Sequence, residues 1–264
     1  MGGRVDGDAH IVETAALVSL SVFITGGSRG LGLAIAKLHL CRGDRVALLA
    51  RRRDVLESAA RSLDAGEGCV SLYAADVRDA AAVAESIASF ARVTGSIDRL
   101  YANAGATDSG PSTSSFDRGV FDTNFYGVVN AVEGWLATSP PAGSKVGIIS
   151  SFSAFRGLPH VPAYGASKAA VTLYAESLRG QLRPSGRRVT TIFLGYLDSE
   201  LVSSQKPSFF VTPCATAAGR GRNSCSSNGC AAFSLRRSSH PPVAAVSREC
   251  SPTTPGPAPS CSTT

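Results

Sequence analysis

From Val18 to Leu194 the chain alternates short apolar runs with longer segments of helical spacing. The expected strands are Val18–Thr25, Arg45–Ala50, Val70–Ala74, Ile97–Ala102, Lys145–Ser150 and Arg188–Leu194. Between them the spacing predicts helices over Leu31–Leu40, Asp54–Leu63, Asp79–Val93, Phe116–Leu136 and Ala163–Leu182. Asp54 and Glu57 are spaced as a capping box for the second helix. Val18–Thr25 is almost continuously apolar, as a strand covered on both faces should be. Repeated strand–helix alternation implies an α/β fold, a doubly wound parallel sheet with helices on both faces. Ligands of such sheets bind at the carboxyl ends of the strands, where strand order reverses.

The pattern stops near Val202. We divide the chain into an N-terminal extension (1–17), a catalytic domain (18–205) and a tail (206–264) rich in Ser, Pro, Gly, Ala and Cys. The tail reads as low-complexity and disordered, or as the product of a frame shift near Pro213. It also explains the formal charge of +6. Lys206, Arg220, Arg222, Arg236, Arg237 and Arg248 face only Glu249, so the body is close to neutral and nucleic acid is not the expected partner. Cys214, Cys225, Cys230, Cys250 and Cys261 lie there too, and no Cys or His spacing suits a metal. Ala15–Ile24 is too short to span a membrane. Asp6, Asp8 and Glu13 precede it where a signal peptide would be basic, so the expected location is cytoplasmic.

The turn after the first strand reads Thr25-Gly26-Gly27-Ser28-Arg29-Gly30-Leu31-Gly32. Glycines let a backbone turn tightly and approach a pyrophosphate, and the following helix end offers free N–H groups and a positive dipole. The same pattern also suits a strand-to-helix turn that binds nothing. At the end of the second strand, an NAD-specific site places an acid for the ribose 2′-hydroxyl. Here Ala50 is followed by Arg51, Arg52 and Arg53. Together with Arg29 these suit a 2′-phosphate, hence NADP(H) over NAD(H). A solvated basic loop is the alternative.

Tyr164-Gly165-Ala166-Ser167-Lys168 opens the last predicted helix. Tyr and Lys at i and i+4 share a face, and an ammonium beside a phenol lowers the phenol pKa toward a working general acid/base. Alone, this spacing is common. Here it accompanies Asn103-Ala104-Gly105 after the fourth strand, Asn124 inside the next helix, and Ser151 after the fifth.

In order and spacing, TGGSRGLG, Asp76-Val77, NAG, Asn124, Ser151 and YGASK resemble the short-chain dehydrogenase/reductase family. The likeness runs from about Val18 to Leu201. It implies a Rossmann fold, a nicotinamide cofactor and a small carbonyl or alcohol substrate. It also implies roles. Tyr164 exchanges a proton with the substrate oxygen. Lys168 lowers its pKa and bonds the nicotinamide ribose, and Ser151 holds the substrate oxygen. Asn124 breaks the helix and holds a water leading from Lys168 to solvent. Asp76 contacts the adenine with Val77 beside it, while Asn103, Ala104, Gly105 and Gly195 line the cofactor. Without the family pattern, Asn124 reads as an exposed helix residue and Asp76 as a helix cap.

The sequence departs from the family at Ala102, where a second asparagine is usual, and at Leu194, where proline precedes Gly195. Ser199 stands near the place of a threonine that bonds the nicotinamide amide. Phe209–Pro213 still resembles the lead into the family's next helix, but Cys214 onward reads neither as that helix nor as the seventh strand. Those elements form the subunit interface in many relatives, so the homo-oligomer that the resemblance implies lacks support from this tail. The expected function is an NADP(H)-dependent oxidoreductase interconverting a carbonyl and an alcohol. A non-catalytic NADP(H)-binding sensor, or an inactive product with a disrupted C-terminus, are the alternatives. Phe152, Phe155 and His160 are candidate pocket residues because they fall between Ser151 and Tyr164.

Overall fold

The computed structural model describes residues 19–66, 68–107, 114–158, 161–195, 197–198 and 212–213. The expected extension at 1–17 and nearly all of the tail lie outside these residues. Strands β1 (Ser21–Thr25), β2 (Arg45–Ala50), β3 (Val70–Ala74), β4 (Arg99–Ala102), β5 (Lys145–Ser151) and β6 (Arg188–Leu194) form one sheet in the order 3-2-1-4-5-6. All neighbours pair in parallel. The order reverses between β1 and β4, which sets the switch point there.

Alternation along the central strands assigns each helix to a face. Val22 and Ile24 of β1, with Val46 and Leu48 of β2, pack against α1 (Gly30–Leu40) and α2 (Arg53–Ser62) through Ile35, Ala36 and Leu56. Phe23, Ala47 and Leu49 point the other way. They join Ile87 and Phe90 of α3 (Ala80–Thr94), Val132 and Trp135 of α5 (Gly127–Ala137) and Val171 and Ala175 of α6 (Pro162–Leu182). Each of the buried Val, Leu, Ile and Phe side chains contributes about 1.5–3 kcal/mol of burial. Trp135 also donates its indole N–H to Ile97 O at 3.0 Å, so its polar edge is satisfied inside the core.

Three expectations are corrected. Strand β1 starts at Ser21 rather than Val18, because its pairing with β2 begins at the Ser21–Arg45 register. The capping box does not form. Helix α2 starts at Arg53, one residue early, with Arg52 as an N-cap that makes no side-chain bond. Asp54 then stands inside the first turn, and Glu57 pairs with Arg53 at 3.2 Å. The single helix that spacing predicts over Phe116–Leu136 is divided into α4 (Ser114–Phe121), a π-helical turn (Asp122–Tyr126) and α5, with the interruption at Asn124, where the family resemblance implies a helix break. The wider turn carries Asn124 inward, where both ends of its amide bond Ala106.

At the other end of the sheet, His39 of α1 lies 2.7 Å from the Asp44 carboxylate and 3.1 Å from the Tyr101 hydroxyl. Burial pushes the His39 pKa below its ordinary value. This network ties the C-terminal end of α1 to β2 and β4. After β6, Leu197–Asp198 pairs in parallel with Thr212–Pro213. The expected lead-in over Phe209–Pro213 is described only at those last two residues, and Ser199 and Cys214 onward are outside the described residues. Among the described residues no helix is long and apolar enough to cross a membrane, and no group of three potential metal ligands occurs.

Candidate active site

A cavity of about 1020 Å³ opens over the carboxyl ends of the strands around the switch point. The exits of all six strands contribute to it, so segments from Gly26 to Gly195 meet here. One end carries Gly26, Ser28, Arg29, Gly30 and Leu31 after β1, Arg51 and Arg52 after β2, and Asp76 and Val77. The middle carries Asn103, Ala104 and Gly105. The other end carries Ser151, Tyr164 and Lys168, with Leu194 and Gly195 beside them.

The glycine turn is closed tightly. Gly26 has φ +67° and Gly30 φ +55°, a region that side chains disfavour. The N–H groups of Gly26 and Gly27 both donate to Leu49 O, at 2.8 and 3.2 Å. A Cβ on Gly26 would lie 2.8 Å from Ala104 Cα, and one on Gly32 would lie 2.3 Å from Gly26 O. Helix α1 then opens with no side-chain cap and no acid in its first turn, leaving its positive end for an anion. Thr25 and Gly32, both expected at the cofactor, are placed behind the wall. Thr25 Oγ1 accepts from the N–H groups of Asn103 and Ala104 at 3.0 and 3.1 Å, and Asn103 Nδ2 returns bonds to Thr25 O and Gly26 O.

Arg29, Arg51 and Arg52 all line this end, whereas Arg53 turns to Glu57. Asp76 is not a helix cap. Asp79 caps α3 by accepting from Ala82 N–H, and Asp76 instead binds Arg78 at 2.7 Å. The Arg78 guanidinium, with the field of Arg51 adding to it, holds the Asp76 carboxyl below its ordinary range.

Pro162 opens α6, where its missing N–H costs nothing. Tyr164 and Lys168 follow on one face, with Nζ 5.8 Å from the ring centroid. Lys168 is 3% exposed, and its Nζ donates to Ile149 O at 2.9 Å. Burial pushes its pKa down to about 8. Burial also pushes the Tyr164 phenol above its ordinary value, opposed by a hydrogen bond with Ser151. The sequence-based expectation was a phenol lowered by the ammonium. Here removal from water dominates instead, and the Ser151 hydrogen bond is what opposes it.

Ser151 Oγ accepts from the N–H of Ser153 at 3.2 Å and from its hydroxyl at 2.9 Å. The adjacent Ser150 turns away, bonding Lys168 O and Thr172 and so clamping β5 to α6. Asn124 is fully buried and stands outside the cavity lining. Besides Ala106 it binds Ser167 Oγ at 3.0 Å. Gly105 is the shared neighbour: a Cβ there would come 3.4 Å from Asn124 Oδ1 and 3.6 Å from Lys168 Nζ.

Phe152 lines the cavity, while Phe155 packs on Phe193 with centroids 4.7 Å apart. His160 is outside the described residues. Ser153, Arg156, Leu158 and Val161 also line this end and were missed by the sequence reading. Their only signal was position, between Ser151 and Tyr164.

The sequence profile of the family described as short chain dehydrogenase matches residues 21–208. This chain belongs to the short-chain dehydrogenases. An uncharacterized oxidoreductase of Myxococcus xanthus is 35% identical over 189 residues, covering 70% of this chain and 74% of that one. An 11-beta-hydroxysteroid dehydrogenase 1A of Arabidopsis thaliana is 33% identical over 193 residues, 70% of this chain and 54% of its own length. The chain therefore spans about half of that relative. Among solved structures, a short chain dehydrogenase of Burkholderia cenocepacia in complex with NADP superposes with TM-score 0.66 at 24% identity, covering 76% of this chain and 81% of that one. This likeness concerns the fold. The short-chain dehydrogenase described here is thus an oxidoreductase of a family that uses NAD(P) and acts on small molecules.

Proposed function

We propose that this short-chain dehydrogenase interconverts a carbonyl and an alcohol, with NADP(H) preferred and Tyr164 as the proton donor and acceptor. The observation that carries this reading is one cavity with two chemically different ends. A tight glycine turn with Arg29 and Arg51 forms one, and Ser151, Tyr164 and Lys168 form the other. The dinucleotide fits this frame. Gly26, Gly30 and the uncapped start of α1 would hold its pyrophosphate, Arg29 and Arg51 its 2′-phosphate, Asp76 and Val77 its adenine, and Asn103, Ala104, Gly105 and Gly195 its remaining length. When bound, the nicotinamide supplies or takes up the hydride.

The protein's own work is on the oxygen. Ser151 holds the substrate oxygen by donating to it. Tyr164 gives it a proton during reduction and takes one during oxidation. The Lys168 ammonium stabilises the phenolate and bonds the nicotinamide ribose. Asn124 secures Gly105 and Ala106 beside that ammonium and holds a water leading outward from it. A panel of ketones and aldehydes, followed by NADPH absorbance, tests the activity. No turnover by folded, NADPH-binding protein on any member of a broad panel would count against it.

Cofactor preference has its own test. Arg29→Ala and Arg51→Ala should each weaken NADPH binding about tenfold or more, the scale of one charge-assisted hydrogen bond. NADH binding should not change. Arg53→Ala should alter neither, because Arg53 faces Glu57. Fluorescence titration reads all three, and equal affinity of the unaltered protein for both cofactors would sink the preference.

A further inference from the structure

Ser151 receives two donors from one residue. The Ser153 N–H reaches its Oγ at 3.2 Å and the Ser153 hydroxyl at 2.9 Å. A serine hydroxyl has two lone pairs and one proton. With both lone pairs filled from Ser153, the proton of Ser151 is committed to the cavity side, where Tyr164 lies. Ser153 is held for this task. It sits in the 3-10 turn Phe152–Ala154, for which Ser151 is the N-cap, and it is 8% exposed. Ser150 cannot substitute, since its hydroxyl is engaged with α6.

We infer that Ser153 is a positioning residue that makes Ser151 an obligate hydrogen-bond donor toward the Tyr164 oxygen and the substrate oxygen. This rests on the roles proposed above for Ser151 and Tyr164. A chain of two hydroxyls also polarises, so the donor nearest the reacting oxygen is stronger than a lone serine. No proton leaves Ser151 or Ser153 in the cycle. The two hydroxyls orient, and Tyr164 exchanges the proton.

Ser153→Ala isolates the hydroxyl, because the backbone N–H that caps the turn is retained. The readout is the ionisation midpoint of Tyr164, followed by NMR of protein labelled at the tyrosine phenolic carbon, with Tyr164→Phe identifying the resonance. Ser153→Ala should raise the midpoint by about half a unit, the scale of one neutral hydrogen bond. Ser153→Cys keeps the volume, offers only a weak donor, and should move it the same way. Ser151→Ala should raise it further, and adding Ser153→Ala to that variant should change nothing more. If Ser151→Ala leaves the midpoint unmoved, the reading of Ser151 itself fails. If Ser151→Ala moves it while Ser153→Ala and Ser153→Cys do not, only the present inference fails. An additive double variant would likewise overturn it, since Ser153 would then act by a route other than Ser151.

Discussion

Tyr164→Phe should lower kcat for carbonyl reduction by about 10³- to 10⁴-fold, the upper part of what a positioned general acid contributes. NADPH binding should stay within about twofold, because a single neutral hydroxyl is removed and the ring stays beside Lys168. The substitution strips one atom from a half-buried side chain, so misfolding is a poor alternative explanation. Steady-state kinetics on the best substrate of the panel, together with NADPH titration, check both halves. Activity within tenfold of the unaltered enzyme would remove Tyr164 from the chemistry. The burial of the phenol also gives a direction with pH. A phenol held above its ordinary value is protonated at neutrality, ready to donate. Alcohol oxidation needs the phenolate instead, so its rate should climb with pH while reduction falls off as the phenol ionises.

What the sequence made legible follows from where physics acts locally. Strands covered on both faces must be apolar along their whole length, so Val22–Ile24 and Val46–Leu49 announced the parallel sheet. The glycine turn and the Arg51–Arg53 run were legible because a strand exit has few ways to become a helix. The π-helical turn was not legible in the spacing, and only the family resemblance, through Asn124, pointed to a break there. Nothing in Phe116–Leu136 interrupts helical spacing, and the wider turn is accompanied by bonds from Asn124 to Ala106, eighteen positions away. The capping pattern failed by one residue: Asp54 is suited to an N-cap, but α2 begins before it. The loop glycines were readable as a group and not singly. Gly26 faces the cavity, while Gly32 closes the turn from behind. Most instructive is Tyr164. Spacing reveals the neighbouring ammonium but not how deeply both groups are buried, and burial decides the sign of the phenol's shift.

Lys168 offers the second large effect, with opposite consequences for activity and stability. Lys168→Met should lower kcat by about 10²- to 10³-fold, the range for removing one preorganised electrostatic contact to a developing anion. The same change should remove a pH dependence from folding. An unfolded lysine titrates near 10.5, and burial brings Lys168 down to about 8. At pH 7 the folded protein therefore still holds a buried ammonium, at a cost of about 3 kcal/mol. That cost is present in full below pH 8. It is relieved as pH rises from about 8 to 10.5, where the unfolded chain binds the proton that the folded chain has released. This group thus makes the unaltered protein gain stability across that window. Methionine has similar length and no charge, so the Lys168→Met variant should lose the gain. Its melting temperature at pH 7 should be equal or higher, because leaving Ile149 O without a partner costs about 1–3 kcal/mol and offsets much of the relief. The melts must be run without cofactor, since ligand binding would stabilise the two proteins unequally. A variant that stays active would show the ammonium dispensable. A variant with the original pH slope would place the titrating group elsewhere. Loss of both together would show that the charge which costs the fold is the charge the reaction uses.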